Sequence, residues 1–490
     1  MLRLAYTKLP TSLMPPAFAS KRPHRLVLLV AATATFILTL TLLALAHRHH
    51  VRLPFDYLRP ADKTDHQPGP RQWCPPGGSA NGTMIPAVAN SLSPQKFTAP
   101  SLPPSVLPPR KGAPKRLREA PKYVKAILDP DNKEFRRYGC PSLTPTSHAR
   151  YSYLRTPSLT PDGAPLPKYF FALDLFQIAD LLPQLLGSLL QAIHFLGPHN
   201  CVLSIVEGRS TDGTYEILRS LGPHLHSLGI RYFLQTSSLH PQMNGDRIVL
   251  LAELRNLALR DLYEQPGSYA PSTTILFSND IWLCPDDVLE LLHQHVRQES
   301  HMTCAMDWNL APDGRPRYYD AWVGRSMTGN SYYRNFYEQK PGFFWDDPPT
   351  QERFESFQPV QVFTCWNGIV ALDATPFADG TLRFRGVEYD KEECFQGEPG
   401  LLAKDLWYHG YGRIAVVPTV NTAYYYDHME IVRKEKGNVA DHFCQSDVEK
   451  ITWKETPPKK VKCKPSWEAK DSWVPWDQGL TKCDQENDEC

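Results

Sequence analysis

The sequence predicts an α/β protein, with a mixed, mostly parallel sheet carrying helices on both faces, preceded by one transmembrane helix and a Pro-rich stem. Three observations carry this expectation. From Lys168 onward, short apolar runs of strand length alternate with helical patterns. Residues Leu26–Ala46 contain no charged side chain. Prolines number 46, about twice the usual share, and are densest in the stretch between these two regions. The 490 residues then divide into a cytosolic segment 1–25, a signal anchor 26–46, a lumenal stem 47–125, a folded domain 126–435 and a Cys-containing tail 436–490.

At about 1.5 Å per residue, Leu26–Ala46 is long enough as a helix to cross the hydrocarbon of a bilayer. It also exceeds the apolar core of a cleaved signal peptide. Lys21, Arg22 and Arg25 precede it and no acidic residue does, so the N-terminus is expected in the cytosol and the remainder in the lumen. The stem contains QPGP, CPPGG and APSLPPSVLPP, a composition of extended chain. Its basic stretch Lys111–Arg118 is expected to be solvated linker, and Asn81-Gly82-Thr83 is a glycosylation sequon. A formal net charge of +1 gives no electrostatic case for nucleic acid as a partner. All 11 cysteines follow the apolar run, in a compartment that permits disulfides, and their odd number leaves at least one thiol unpaired. Cys463, Cys483 and Cys490 are expected to staple the tail.

The folded domain reads in order. KYFFALDLF is a buried strand, followed by a helix over IADLLPQLLGSLLQAIHFL with Pro183 in its first turn. CVLSIVEG is a strand, and Ser210-Thr211-Asp212-Gly213 opens the helix TYEILRSL. RYFLQ is a strand and RIVLLAELRNLALRDLY a helix. TTILFSND is a strand, PDDVLELLHQHV a helix begun by Pro285, and HMTCAMDW a strand. Such alternation favours parallel strands, and ligands of such sheets bind beyond the strands' carboxyl ends. Three strand ends carry polar groups: Glu207, Arg209, Ser210 and Asp212 on one, Ser278, Asn279 and Asp280 on another, and Asp307 on a third. A diphosphate leaving group calls for a divalent cation, which favours carboxylate and phosphate oxygens. Asp280 is the expected Mn²⁺ or Mg²⁺ ligand, with Ser278 or Asn279 as a weaker partner.

VLSIVEGRSTDGTYEIL resembles the donor-binding start of GT-A glycosyltransferases, and FSNDIWLCPDDVLELL resembles their D-x-D strand end, with Ser278 in place of the first carboxylate. Together with TCAMDW, YDAWVGRSMTGNSYY, CWNGIVALDATPF and EECFQGEPGLLAKDLWYHGYGRIAVVPTV, these segments resemble the fungal capsule-associated α-1,3-mannosyltransferases, glycosyltransferase family 69. The resemblance spans Lys168 to Tyr425 and implies a GT-A-like fold, GDP-mannose as nucleotide-sugar donor and a mannose-containing glycan acceptor. It implies that Glu207 and Asp212, with Arg209 beside them, lie near the nucleoside, and that Arg247 or Arg255 faces the diphosphate. The second half is then the acceptor side. Asp320-Ala321-Trp322, Tyr332-Tyr333 and Trp366-Asn367-Gly368 supply carboxylate, amide and ring faces. Glu398 and Asp405 are expected to stabilise the oxocarbenium ion or anchor the acceptor, and His409 is a candidate metal ligand or a plain helix-end histidine. An α-donor giving an α-product implies retention. The expected location is a Golgi membrane, in single-pass type II orientation. A non-catalytic glycan-binding assembly factor on the same fold, or a transferase using another nucleotide sugar such as UDP-xylose, are the alternatives.

Overall fold

The computed structural model describes residues 106–241, 246–334, 342–465 and 470–480. The apolar run Leu26–Ala46, the sequon, Cys483 and Cys490 lie outside these residues. Among the described residues no helix is long and apolar enough to cross a membrane.

One sheet of 11 strands organises the domain. In chain order the strands are β1 Val106–Leu107, β2 Tyr169–Leu175, β3 Cys201–Glu207, β4 Arg231–Ser237, β5 Thr274–Ser278, β6 Met302–Leu310, β7 Pro316–Tyr318, β8 Arg325–Ser326, β9 Val360–Thr364, β10 Ile369–Asp373 and β11 Ile414–Ala423. They lie in the order β1-β4-β3-β2-β5-β10-β6-β11-β9-β8, with β7 paired to β6. The block β4-β3-β2-β5 is parallel, and β11 is parallel to β6. Between the two runs β10 is antiparallel to both β5 and β6, which restores a common direction on its far side.

The longer helices are α1 Pro114–Leu128, α2 Leu182–Leu196, α3 Thr214–Ser227, α4 Arg247–Ala258, α5 Pro285–Gln298, α6 Glu398–Tyr408 and α7 Tyr426–Lys436. Alternation along β2 shows why both sheet faces are covered. Tyr169, Phe171, Leu173 and Leu175 join the core formed with α1, α2, α3 and α5, while Phe170 and Ala172 join the core under α4 and α6. Every strand and helix expected between Lys168 and Leu310 is present, with Pro183 in the first turn of α2.

Both outer boundaries need correction. Residues 106–125 belong to the fold rather than to a stem. β1 adds to the edge of β4, with Val106 opposite Ser237, and Ala120, Val124 and Ile127 of α1 are buried at helical spacing. Pro114 to Arg118 of the basic stretch form the first third of that helix. Its Pro114 sits in the first turn and Pro121 is on the exposed side.

Residues 436–465 and 470–480 likewise belong to the domain instead of forming a separate tail. The Arg150 guanidinium grips both oxygens of Glu290 (2.9 and 2.9 Å) and both of Asp447 (2.5 and 2.9 Å), and Gln294 donates to Asp447 as well. Cys463 is disulfide-bonded to Cys394, and Cys140–Cys284 and Cys304–Cys365 are two further pairs. Cys201 is a free, buried thiol.

Burial opposes ionisation of Glu290 and Asp447, but His293 and Arg150 outweigh it and hold both carboxyls below their ordinary range. Their stabilisation is therefore complete above the unfolded carboxylate value of about 4 and is lost as pH falls through the folded values. Amide exchange along 436–465 is expected to stay slow from neutral pH down to about 5 and to quicken below about 4. Arg150→Met should produce the fast pattern already at neutral pH. Unchanged protection in that variant would show that the ion pairs do not hold the segment.

Candidate active site

The carboxyl ends of β3 and β5 lie on one edge of the sheet, two strand spacings or about 10 Å apart. The register confirms this, since Leu175 of β2 faces Glu207 and Leu173 faces Ser278. The expected clustering of Glu207, Asp212 and Asp280 at a common rim is thus what the fold produces.

The turn after β5 is clamped from two sides. The Asn279 amide donates to the Gly368 carbonyl at 2.8 Å, just before β10, and the Trp282 amide donates to the Ala423 carbonyl at 2.7 Å, at the end of β11. Gly368 is left-handed (φ 82°), and a Cβ there would stand 3.1 Å from Thr422 Oγ1 and 3.4 Å from the Asp307 Cβ. Asn279 spends its whole amide internally, accepting from Trp366 Nε1 (3.1 Å) and donating to the Tyr424 hydroxyl (3.1 Å). Ser278 Oγ is buried and donates to the Asn279 carbonyl. Neither therefore fits the role of metal ligand. Half-buried Asp280, between buried Asn279 and Ile281, is the group this turn presents.

Two buried carboxylates lie behind it. Asp307, on β6, accepts from the Asp320 amide (3.3 Å) and from the Tyr424 hydroxyl (3.2 Å). Asp320 accepts from the Asn367 amide (2.8 Å). Burial raises both carboxyl pKa values, and Asp320 raises that of Asp307 further. The half-buried Tyr319 phenol is pushed up to about 12 by burial and by the charges of Asp320, Asp307 and Asp280. Tyr319 and Tyr424 ring centres are 4.5 Å apart.

A third group joins them from the other sheet face. Arg255 is buried, donates to Glu398 at 2.8 Å and lies 4.0 Å over the Trp366 ring. Its Nη1 is buried without a hydrogen-bond partner. Arg255 and Glu398 both act electrostatically on Asp320. Arg255 thus sits behind the rim, while Arg247, at the start of α4, is half-buried.

Other expected site residues are committed elsewhere. Glu207 accepts from the Ser210 amide and from Arg110 (3.2 Å), and burial, outweighing both, raises its pKa. Asp212 accepts from the Ala179 amide (2.8 Å) and from the Thr214 amide and hydroxyl (3.0 and 2.8 Å), tying the β3 loop to the β2 loop. Both shape the rim. Arg209 is exposed, with a left-handed backbone (φ 61°). Asp405 is bound at both oxygens by Arg385 (2.7 and 2.8 Å), which also grips Glu393, so it braces a loop rather than contacting an acceptor. His409 follows the last turn of α6, roughly 16 Å along the axis from Glu398, and is exposed. Neither shares the rim with Asp280.

Trp366 and Tyr332 are wholly buried, and Asn367 is consumed by Tyr318, Tyr332, the Ala305 carbonyl and Asp320. They are framework, whereas Trp322 is half-buried. Tyr319 and Tyr424 were not among the expected site residues. Tyr424 directly follows the apolar strand IAVVPTVNTA, so the strand-end rule already points to it.

The family model described as Cryptococcal mannosyltransferase 1 matches residues 168–405. The alpha-1,3-mannosyltransferase CMT1 of Cryptococcus neoformans var. neoformans serotype D is 32% identical over 346 residues, covering 66% of this chain and 72% of that protein. The chain belongs to the cryptococcal mannosyltransferase 1 family. That makes it a glycosyltransferase. The family match begins at β2 and ends within α6, so it takes in every strand end of the rim except that of β11.

Among solved structures, residues 1–349 of TarS from S. aureus align with a TM-score of 0.33 and 13% identity, over 58% of this chain and 67% of that one. The mannosyltransferase PcManGT from Pyrobaculum calidifontis, in complex with GDP-Man and Mn2+, aligns with a TM-score of 0.31 and 11% identity, over 63% and 67%. At these scores neither adds to the family assignment.

Proposed function

We propose that this protein transfers a mannosyl group from GDP-mannose to a mannose-containing glycan, forming an α-1,3 linkage with retention. The observation that supports it best is the clamped turn that carries Asp280, whose Asn279 bonds to Tyr424, which in turn bonds to Asp307 beside Asp320. A diphosphate needs a cation at such a place. One carboxylate fits Mn²⁺ or Mg²⁺, which commonly take one or two carboxylates and complete their shell with phosphate oxygens and water. In this proposal Asp280 would hold the cation, which would supply positive charge against the departing diphosphate.

Transfer forms a bond from the acceptor hydroxyl oxygen to the anomeric carbon as the bond from that carbon to the diphosphate oxygen breaks. GDP leaves with the bonding electrons, and its phosphate takes the acceptor's proton. In this proposal Glu398, fixed by Arg255, stabilises the oxocarbenium-like sugar or anchors the acceptor. Glu207 and Asp212 hold the loops that border the nucleoside end. The protein would act from the lumenal side of a Golgi membrane. That location rests on the uncharged run Leu26–Ala46 and suits a domain with the three disulfides described above.

The purified protein, offered a panel of nucleotide sugars and an α-mannoside acceptor, is expected to release GDP from GDP-mannose only when Mn²⁺ or Mg²⁺ is added. GDP should bind by calorimetry only with the cation. A preference for UDP-xylose, or tight GDP binding without metal, would overturn the reading.

A further inference from the structure

Beside the carboxylate rim runs a strip of three aromatic rings. Trp322 and Phe395 have ring centres 6.1 Å apart, and Phe395 and Tyr389 stack at 6.4 Å with planes 21° apart. The strip starts at the catalytic end of the domain. A Cβ on Gly397, the N-cap of α6, would stand 3.6 Å from the Trp322 ring, and Glu398 is the next residue.

Trp322 and Phe395 pack on the small core of Ile248, Val387 and Leu401, and two features distinguish the strip from the rest of that packing. Its far ring is out in solvent, since Tyr389 is 60% exposed and is among the most exposed large apolar side chains described. The polar tips of its end rings are also already used. Trp322 Nε1 donates to the Lys464 carbonyl at 2.7 Å, and the Tyr389 hydroxyl donates to Asp246 at 2.7 Å. What remains to offer a ligand is ring face. The strip is held stiffly as well. Arg385 grips Glu393 on the same loop, Lys404 donates to Glu393, and Cys394 is bonded to Cys463. A pre-set surface binds at lower ordering cost.

We infer that Trp322, Phe395 and Tyr389 form the platform on which the acceptor glycan lies, with its reacting end toward Glu398 and its further sugars over Phe395 and Tyr389. Flat aromatic faces with no free polar tip suit the C–H faces of pyranose rings. The inference rests on the transferase reading, because a glycosyltransferase of this kind must hold a sugar next to its carboxylates. Since the rings are strung outward, the platform serves an oligosaccharide better than a single sugar.

Tyr389→Ala tests it, because an exposed side chain can be removed without harm to the core. It is expected to raise KM for α-mannotriose about tenfold, the scale of one lost aromatic contact, while KM for GDP-mannose stays put and methyl α-mannoside shows no such rise. Tyr389→Phe, which keeps the ring and loses the bond to Asp246, should restore the wild-type KM. Calorimetry of α-mannotriose binding to wild type and Tyr389→Ala asks the same question without turnover, so failure of the transfer reaction and failure of the platform are separable. Equal mannotriose binding by the two proteins, or none by wild type, overturns the platform. So does a monomer–dimer shift in Tyr389→Ala, which would make the strip an interface between copies.

Discussion

Asn in place of Asp280 should reduce transfer from GDP-mannose by roughly 10²–10³-fold, the scale seen when one charged contact to a developing negative charge is lost. The fold should survive. Asp280 is half-buried, Asn has nearly its shape, and the turn is held by backbone bonds from Asn279 to Gly368 and from Trp282 to Ala423, none of which uses the carboxylate. Circular dichroism and amide exchange of the variant check that the turn stays folded. The calorimetric signature should be specific too, with GDP in the presence of Mn²⁺ binding weakly and excess cation restoring part of the loss. Ser278→Ala is the comparison that makes the result interpretable. Its hydroxyl donates to the Asn279 carbonyl inside the core, so its removal should leave metal-dependent activity within about twofold and shift stability slightly. Full activity in Asp280→Asn would remove the metal assignment. A large loss in Ser278→Ala would return the hydroxyl to the site.

The physical reason for this contrast also shows what a linear chain can reveal. Period and punctuation disclose local elements, and so β2 to β6 and the helices between them were legible residue by residue. That strands end in acids was legible as well. Which neighbouring groups consume those acids was not, because the bonds from Asp212 to Ala179 and from Glu207 to Arg110 join segments far apart in the chain. The pairing of Asp307 with Asp320 had a signal that went unused. Ala311-Pro312-Asp313-Gly314-Arg315 is a turn sequence, with Gly314 at φ 82°, and folding it back sets Trp308 opposite Tyr318 and so brings the two carboxylates together. At the edges, composition misled. Proline content made residues 106–125 look like extended chain although Ala120, Val124 and Ile127 recur at helical spacing, and the polarity of 436–465 hid a segment held by ion pairs and a disulfide as well as by the buried Val439 and Phe443. Arg255 is the most instructive case. It falls on the face of α4 shared with Leu251 and Ala258, both buried, and a charged residue in such a stripe marks a partnered interior group rather than a solvent-facing one.

That position leads to the second large effect, which separates a structural Glu398 from a functional one. Arg255 and Glu398 form an ion pair 2.8 Å long, with side chains 2% and 4% exposed. Removing one member of such a pair strands the other, at a cost of about 3–5 kcal/mol. Arg255→Met should incur much of this, because it also removes the cation from over the Trp366 ring, whose Nε1 in turn holds Asn279 beside Asp280. Glu398→Gln should be milder for stability, since the amide oxygen can still accept from Arg255, yet it takes away the carboxylate charge. If Glu398 only neutralises Arg255, the double variant Arg255→Met, Glu398→Leu, which replaces both charges with apolar groups of similar size, should regain both stability and transfer. If Glu398 acts on the sugar, the double variant should regain its melting temperature and stay inactive, and Glu398→Gln should lose about 10²-fold in kcat with little change in KM for GDP-mannose. We expect the second outcome, because α6 begins at Glu398 and so points its N-terminus, Arg255 and the aromatic strip at one place, whereas a purely structural pair would have no reason to lie at the edge where the parallel strands end.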